Sequence, residues 1–270
     1  MTLFYSTNSP TFDFPKFNGT PKTKYVIAST PRSGSNLLTR YLWLSKQAGA
    51  PEEYFASRYV QDFDSRWNML TKTNVNFESW VKGEKKPNIA HGKYLEKLQK
   101  VRTSPNGVFG IKIHVCHLDE PINAHVDFKE LFADYKIVRI RRKDLVRQAI
   151  SHTIARQTNI WILDNEWLKK NNKTKDPVYD FDEISKNIKY LEELEQQWDR
   201  HVKNKDCDVF QLHYEDLSCS PRDSIARVFK FLNIGNVDDV PKPNISKQSN
   251  EINEHWYNLY QETLQRKKHL

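Results

Sequence analysis

The sequence predicts an α/β protein in three layers, with a mainly parallel central sheet flanked by helices. Two observations carry this reading. Strand-length runs at Tyr25–Ser29, Val108–Val115, Tyr135–Ile140 and Val209–Tyr214 alternate with segments of helical periodicity. Such alternation suits parallel crossovers with helices over both faces of the sheet. The first run breaks into a small-polar loop, Pro31–Asn36, that opens directly into a helix, as phosphate loops do at the carboxyl ends of strands.

Residues 1–23 read as an irregular arm; Phe4, Phe12, Phe14 and Phe17 are too many aromatics for a floating tail, so packing is expected. Residues 24–270 read as one domain without internal repeats. After the first strand and its loop, Leu37, Leu38, Tyr41, Leu42 and Leu44 form a helical stripe. Ala48-Gly49-Ala50-Pro51 ends that helix, and a new one is expected from Glu52. Residues 55–105 look helical but interrupted, and Ser104-Pro105-Asn106-Gly107 is a turn into the second strand. Beyond the third strand, Asp144 caps a helix whose apolar face holds Val146, Ala149, Ile150, Thr153 and Ile154. Residues 169–180 are a Lys- and Asn-rich loop, and Ile184–Lys203 is a long helix with Leu191, Leu194 and Trp198 on one side. The last strand is followed by a helix through Phe231, with Ser220 as cap and Pro221 at its first position.

Composition sets bounds on function. Forty-two basic against 34 acidic side chains give a net charge of +8, suited to acidic ligands such as nucleotides and equally to nucleic acid or a membrane surface. No stretch approaches the roughly 20 apolar residues of a membrane span, and the N-terminus lacks a charged segment followed by an apolar one, so the expected location is the cytoplasm. Cys116, Cys207 and Cys219 are widely spaced without a C-x-x-C pair, which points to free thiols rather than a disulfide framework or zinc site.

The chemistry sits at two strand ends. Backbone amides at the start of the helix after Pro31–Asn36 are unpaired donors at a positive dipole end and favour phosphate or sulfate. Gly34 lets the backbone approach a ligand, and Arg32, the loop's cation, can fork onto two anion oxygens. The G-x-x-x-x-G-K-[ST] pattern is missing, and with it the lysine and magnesium-binding hydroxyl of nucleotide hydrolases; no metal is called for. At the second end the third strand leaves through Arg141, Arg142 and Lys143, where hydrolases commonly carry a magnesium-binding aspartate. Arg142 and Ser151 could converge on one phosphate; the alternative is a solvated basic turn.

The blocks TPRSGSNLL, GAPEEYF, TSPNGVFGIK, RRKDLVRQAIS with RQTNIW, and VPKPNISKQSN occur in order between about residues 24 and 256. As a set they resemble the bacterial trehalose 2-sulfotransferase type of carbohydrate sulfotransferase. That resemblance implies a P-loop NTPase-like sulfotransferase fold, a homodimer, and the donor 3′-phosphoadenosine 5′-phosphosulfate (PAPS; product PAP). It implies that Arg32, Ser33, Gly34, Ser35, Asn36 and Leu37 hold the 5′-phosphosulfate, with Arg142 and Ser151 on the 3′-phosphate. Glu53 matches the family's general base in the G-x-P-x-E-[FY]-F segment; without the match, Pro51-Glu52-Glu53 would be an acidic first helical turn.

Lys112 is implied as a sulfonyl or substrate contact, whereas His114, on the same strand face, lacks a family counterpart and reads as a packed, hydrogen-bonded histidine. Lys247 and Gln248 stand where the family has R-Q and would touch the donor. Trp161 could line an acceptor site or the core, since aromatic faces suit sugar rings. At Ala50 the trehalose enzymes carry a sugar-holding glutamate, and alanine has no side-chain acceptor. The expected activity is sulfuryl transfer to a hydroxyl of a carbohydrate or glycolipid. The rivals are a P-loop-type nucleotide kinase or hydrolase and a non-catalytic basic nucleic-acid-binding protein.

Overall fold

The computed structural model describes residues 9–67, 91–120, 123, 126–161, 176–203, 208–235 and 251–268. Four strands, β1 (Thr23–Ser29), β2 (Val108–His114), β3 (Lys136–Arg141) and β4 (Val209–His213), form an all-parallel sheet in the order β2-β1-β3-β4. The chain steps from β1 to β2 on one side, then crosses back to place β3 on the other, with Ile27 opposite Lys112 and Val138. Strand order therefore reverses at β1, and the crevice beyond its carboxyl end is where such sheets take ligands.

Alternation along β1 builds the three layers. Val26 and Ala28 face a core made with α2 (Ser57–Trp67), α3 (His91–Arg102) and α6 (Phe181–Lys203), through Phe63, Leu98, Leu194 and Trp198. Tyr25 and Ile27 face the opposite core with α1 (Ser35–Leu44) and α8 (Pro221–Leu232), through Leu38, Leu42, Ile225 and Phe229. Tyr25 is wholly buried; its hydroxyl donates to the Ala48 carbonyl at 2.7 Å, and its ring fills the space over Gly110, where a Cβ would meet it at 2.2 Å. The helix α5 (Leu145–Thr158) packs with α6 and α9 (Glu251–Lys268) around Ala149, Ile150, Ile184, Leu191, Trp256 and Tyr260.

Several boundaries depart from the sequence reading for local reasons. The helix expected from Glu52 starts at Ser57, because the preceding segment docks along the outer edge of β2: the Lys112 amide donates to the Glu52 carbonyl at 2.9 Å. Tyr214 leaves the last strand to open a short helix, α7 (Tyr214–Cys219), with Glu215 and Asp216 in its first turn. Ser220 and Pro221 stand at the start of α8 as expected, but the Ser220 side chain makes no capping hydrogen bond. Asp144 does cap α5, accepting from the Arg147 amide at 2.9 Å. The described part of the arm, from Ser9, is docked: the Phe14 and Phe17 amides donate to Val101 and Lys100 carbonyls, and Phe12 is buried against Trp43 and Ala50, while Phe4 lies outside the described residues. Among the described residues no helix is long and apolar enough to cross a membrane.

One buried network joins the layers at the end of β1. Glu195 of α6 accepts the Thr30 hydroxyl at 2.8 Å, and its other oxygen meets Arg139 of β3 at 2.5 Å and Arg141 at 2.9 Å. Glu195, together with Asp199 at 3.4 and 3.5 Å from the same two arginines, thus balances two strand cations while gripping the first loop residue. Removing one partner of a buried pair leaves an uncompensated charge. Glu195→Ala is accordingly expected to destabilise the protein by about 3 kcal/mol or more in urea unfolding, and a loss below about 1 kcal/mol would show the network to be dispensable.

Candidate active site

The loop after β1 is shaped for backbone donation. Arg32 (φ 64°) and Gly34 (φ 89°) both sit in left-handed conformations, which turn the chain so that α1 begins at Ser35 without a side-chain cap. At Gly34 a Cβ would lie 2.4 Å from the Tyr214 ring, so only glycine fits beneath it. The loop is clamped from outside. Trp198 Nε1 donates to the Ser29 carbonyl at 2.7 Å, while Gln148 Nε2 donates to Thr30 Oγ1 at 3.0 Å and to the Pro31 carbonyl at 2.7 Å. The Ser33 hydroxyl is buried and has no hydrogen-bond partner among the described residues. A preset loop with a buried donor to spare fits an anion.

Arg32 reaches across to α5, donating from Nε to Ser151 Oγ at 3.0 Å and from its terminal nitrogen to the Trp161 carbonyl. Ser151 therefore touches the loop's own arginine. Arg142 at the exit of β3 packs its guanidinium over the Tyr214 ring, 4.9 Å from the centroid. Its Nε is buried without a partner among the described residues, and burial lowers its pKa, partly opposed by Tyr214, Glu215 and Asp144. Tyr214 is thus wedged between the two expected anion sites, against Gly34 on one side and Arg142 on the other.

Glu53 lies beside the loop, in a pocket of basic groups. Its Oε1 is 2.8 Å from Lys112 Nζ and 3.3 Å from His114 Nε2, and its Oε2 is 3.8 Å from His117 Nε2. Lys112, 1% exposed, also donates to the Asn36 side chain in the first turn of α1, linking carboxylate and loop. Burial alone would raise the Glu53 carboxyl, but Lys112, His114 and His117 together hold it well below the usual carboxylate range. Burial pushes His117 down to about 3, with Glu53 opposing, so its ring is neutral near pH 7. Glu52 behaves oppositely: it is buried, and desolvation raises its pKa despite Lys112. The arrangement offers an ionised carboxylate next to an anion loop, so it can receive a proton from a group lying between them.

The structure thus brings together Glu53, Lys112 and the loop residue Asn36, and joins Arg32 to Ser151 and Trp161. Lys247 and Gln248 lie outside the described residues. Sequence reasoning underrated His114 and passed over His117, although alternation along β2 places His114 on the face of Lys112. It also missed Glu195, whose signal was a carboxylate lodged between Leu194 and Trp198 on the inward side of α6. Ala50 is 1% exposed and packs under Phe12, so a sugar cannot reach its side chain as the arm now lies.

A family model described as Stf0 sulphotransferase matches residues 24–263. The trehalose 2-sulfotransferase of Mycolicibacterium smegmatis is 24% identical over 270 residues, which cover 90% of this chain and 96% of that protein. Among solved structures, the sulfotransferase domain from the curacin biosynthetic pathway is 13% identical with a TM-score of 0.48, over 86% of this chain and 82% of that one. Sulfotransferase STF9 from Mycobacterium avium is 11% identical with a TM-score of 0.43, over 90% and 68%. With the family model running from within β1 through the anion loop and into α9, the chain belongs to the Stf0 sulphotransferase family.

Proposed function

We propose that this enzyme moves a sulfuryl group from PAPS to a hydroxyl of a carbohydrate or glycolipid, leaving PAP and a sulfate ester. The observation that carries the reading is the ionised Glu53 joined through Lys112 to the helix start of the anion loop. In this scheme the amides of Ser33–Asn36, with Leu37 behind them, and Arg32 hold the 5′-phosphosulfate. Arg142 and Ser151 take the 3′-phosphate, a role supported by Arg142 Nε, which has no partner among the described residues. Lys247 and Gln248 add donor contacts, and Trp161 offers its ring to the acceptor.

Glu53 accepts the hydroxyl proton as the oxygen attacks sulfur, and the bond from sulfur to the phosphate oxygen breaks in line. Its low pKa keeps it charged and ready near pH 7. A sulfonyl oxygen that draws Lys112 toward the donor relaxes the lysine's hold on Glu53 and raises its basicity when it is needed. Charge building on the sulfonyl and leaving oxygens is met by fixed loop dipoles and Arg32. The buried Ala50 argues for an acceptor other than trehalose itself. A homodimer, supported by the family resemblance, and a place in the cytoplasm complete the proposal; sedimentation tests the dimer.

Glu53→Gln is expected to retain PAP binding but lower turnover by about a hundredfold or more, as measured by transfer of labelled sulfate; near-normal turnover removes Glu53 from the chemistry. Arg142→Ala is expected to weaken PAP by about tenfold or more while leaving AMP unchanged in calorimetry, the worth of a charge-assisted contact. Equal weakening of both nucleotides rejects Arg142 as the 3′-phosphate residue.

A further inference from the structure

His114 and His117 hold each other through a reciprocal cap at the end of β2. The His114 amide donates to His117 Nδ1 at 3.4 Å, and the His114 side chain accepts the His117 amide in return. An imidazole accepts only through a nitrogen lone pair. Since His114 Nε2 faces Glu53, the accepting atom is its Nδ1, which also lies 2.9 Å from Ser29 Oγ; that hydroxyl is 3.2 Å from the Ile113 carbonyl. With each Nδ1 serving as an acceptor in the cap, Nε2 is the ring nitrogen left to carry a proton toward Glu53. Each Nε2 faces a different oxygen of Glu53: His114 at 3.3 Å from Oε1, His117 at 3.8 Å from Oε2. The two rings stand 5.1 Å apart, tilted by 58°.

We infer that His114 and His117 are positioning residues for the base, fixing which oxygen of Glu53 receives the acceptor's proton. This rests on Glu53 being the base. Oε1 is engaged twice, by Lys112 and His114, whereas the His117 contact to Oε2 is too long for a hydrogen bond. Oε2 is therefore the oxygen presented to the acceptor. His117 acts through the cap, by setting the tautomer and orientation of His114.

Other charged and titratable groups surround the carboxylate. Lys112 faces it from β2 and Glu52 adjoins it, while Arg58 and Tyr59 act on it from α2. Cys116 and Glu120 act from the turn after β2. None of these is altered by exchanging an imidazole for an amide, so the comparison isolates the Nε2 donor.

Asparagine at 114 keeps an acceptor near the Nδ1 position but withdraws the donor from Glu53; glutamine keeps a donor near Nε2. Losing a donor to an ionised carboxylate raises its pKa, so the acid limb of kcat/KM moves to higher pH. His114→Asn is expected to shift that limb up by about one pH unit, the worth of one hydrogen bond to a charged group. It is expected to lower kcat by about tenfold or more with the KM for PAPS unchanged, and His114→Gln to recover most of both. In a Glu53→Gln background His114→Asn costs nothing further.

An unmoved acid limb, or a glutamine variant as impaired as the asparagine one, overturns the inference while leaving Glu53 as base; normal turnover of Glu53→Gln alone would instead remove the base itself. If His114→Asn does not fold, the cap supplies the test. His117→Asn, which preserves an acceptor for the His114 amide, is expected to move the acid limb upward less than His117→Ala does. The opposite ranking of those two variants overturns the inference as well.

Discussion

The buried contact of Glu195 with Thr30, Arg139 and Arg141 is the constraint on which the rest of the molecule depends. Parallel strands end in unpaired backbone, and a loop leaving the central strand has no inherent shape unless neighbouring elements fix it. Here α6 supplies that fixing: Glu195 takes the Thr30 hydroxyl and Trp198 the Ser29 carbonyl. From α5, Gln148 holds Thr30 and Pro31. Two helices distant in sequence thus preset the turn from which α1 starts, and amides already aimed need no reorganisation when an anion arrives. The same carboxylate, with Asp199 beside it, explains how Arg139 can lie buried near the end of β3 next to Arg141.

Adjacent carboxylates at the site show how environment divides roles between identical groups. Glu52 and Glu53 follow one another on a segment that lies along the edge of β2 instead of coiling into a helix. Lys112 couples strongly to both, but the imidazoles meet Glu53, and the two pKa values move in opposite directions. Glu52 holds the segment in place through its carbonyl and the Lys112 amide. Glu53 is left charged between a strand cation and the anion loop, a placement that the non-helical backbone of residues 51–53 makes possible.

Much of this was legible in the sequence because it rests on local rules. The strand runs, the turn at Gly107, the cap at Asp144 and the glycine of the anion loop each follow from residue-level chemistry, and the structure has them where they were expected. Glu53 and Lys112 came only through family resemblance, since an acidic residue after a proline looks like a helix start. Non-local pairings stayed hidden: no spacing rule brings Glu195 to Thr30 or His114 to Glu53. Helix α9 was missed because Trp256, Tyr260 and Leu264 repeat every four residues in a polar stretch, a weak stripe that gains its meaning from packing on α5 and α6.

The central claim, that the loop over β1 and Glu53 grip the two sides of a transferred group, is tested most directly by a crystal structure of the protein with PAP bound. The account predicts the 5′-phosphate on the amides of Ser33–Asn36, the 3′-phosphate against Arg142, and open space for a hydroxyl between the phosphate and Glu53. A nucleotide seated away from that loop, or with its 5′-phosphate turned away from Glu53, would contradict it.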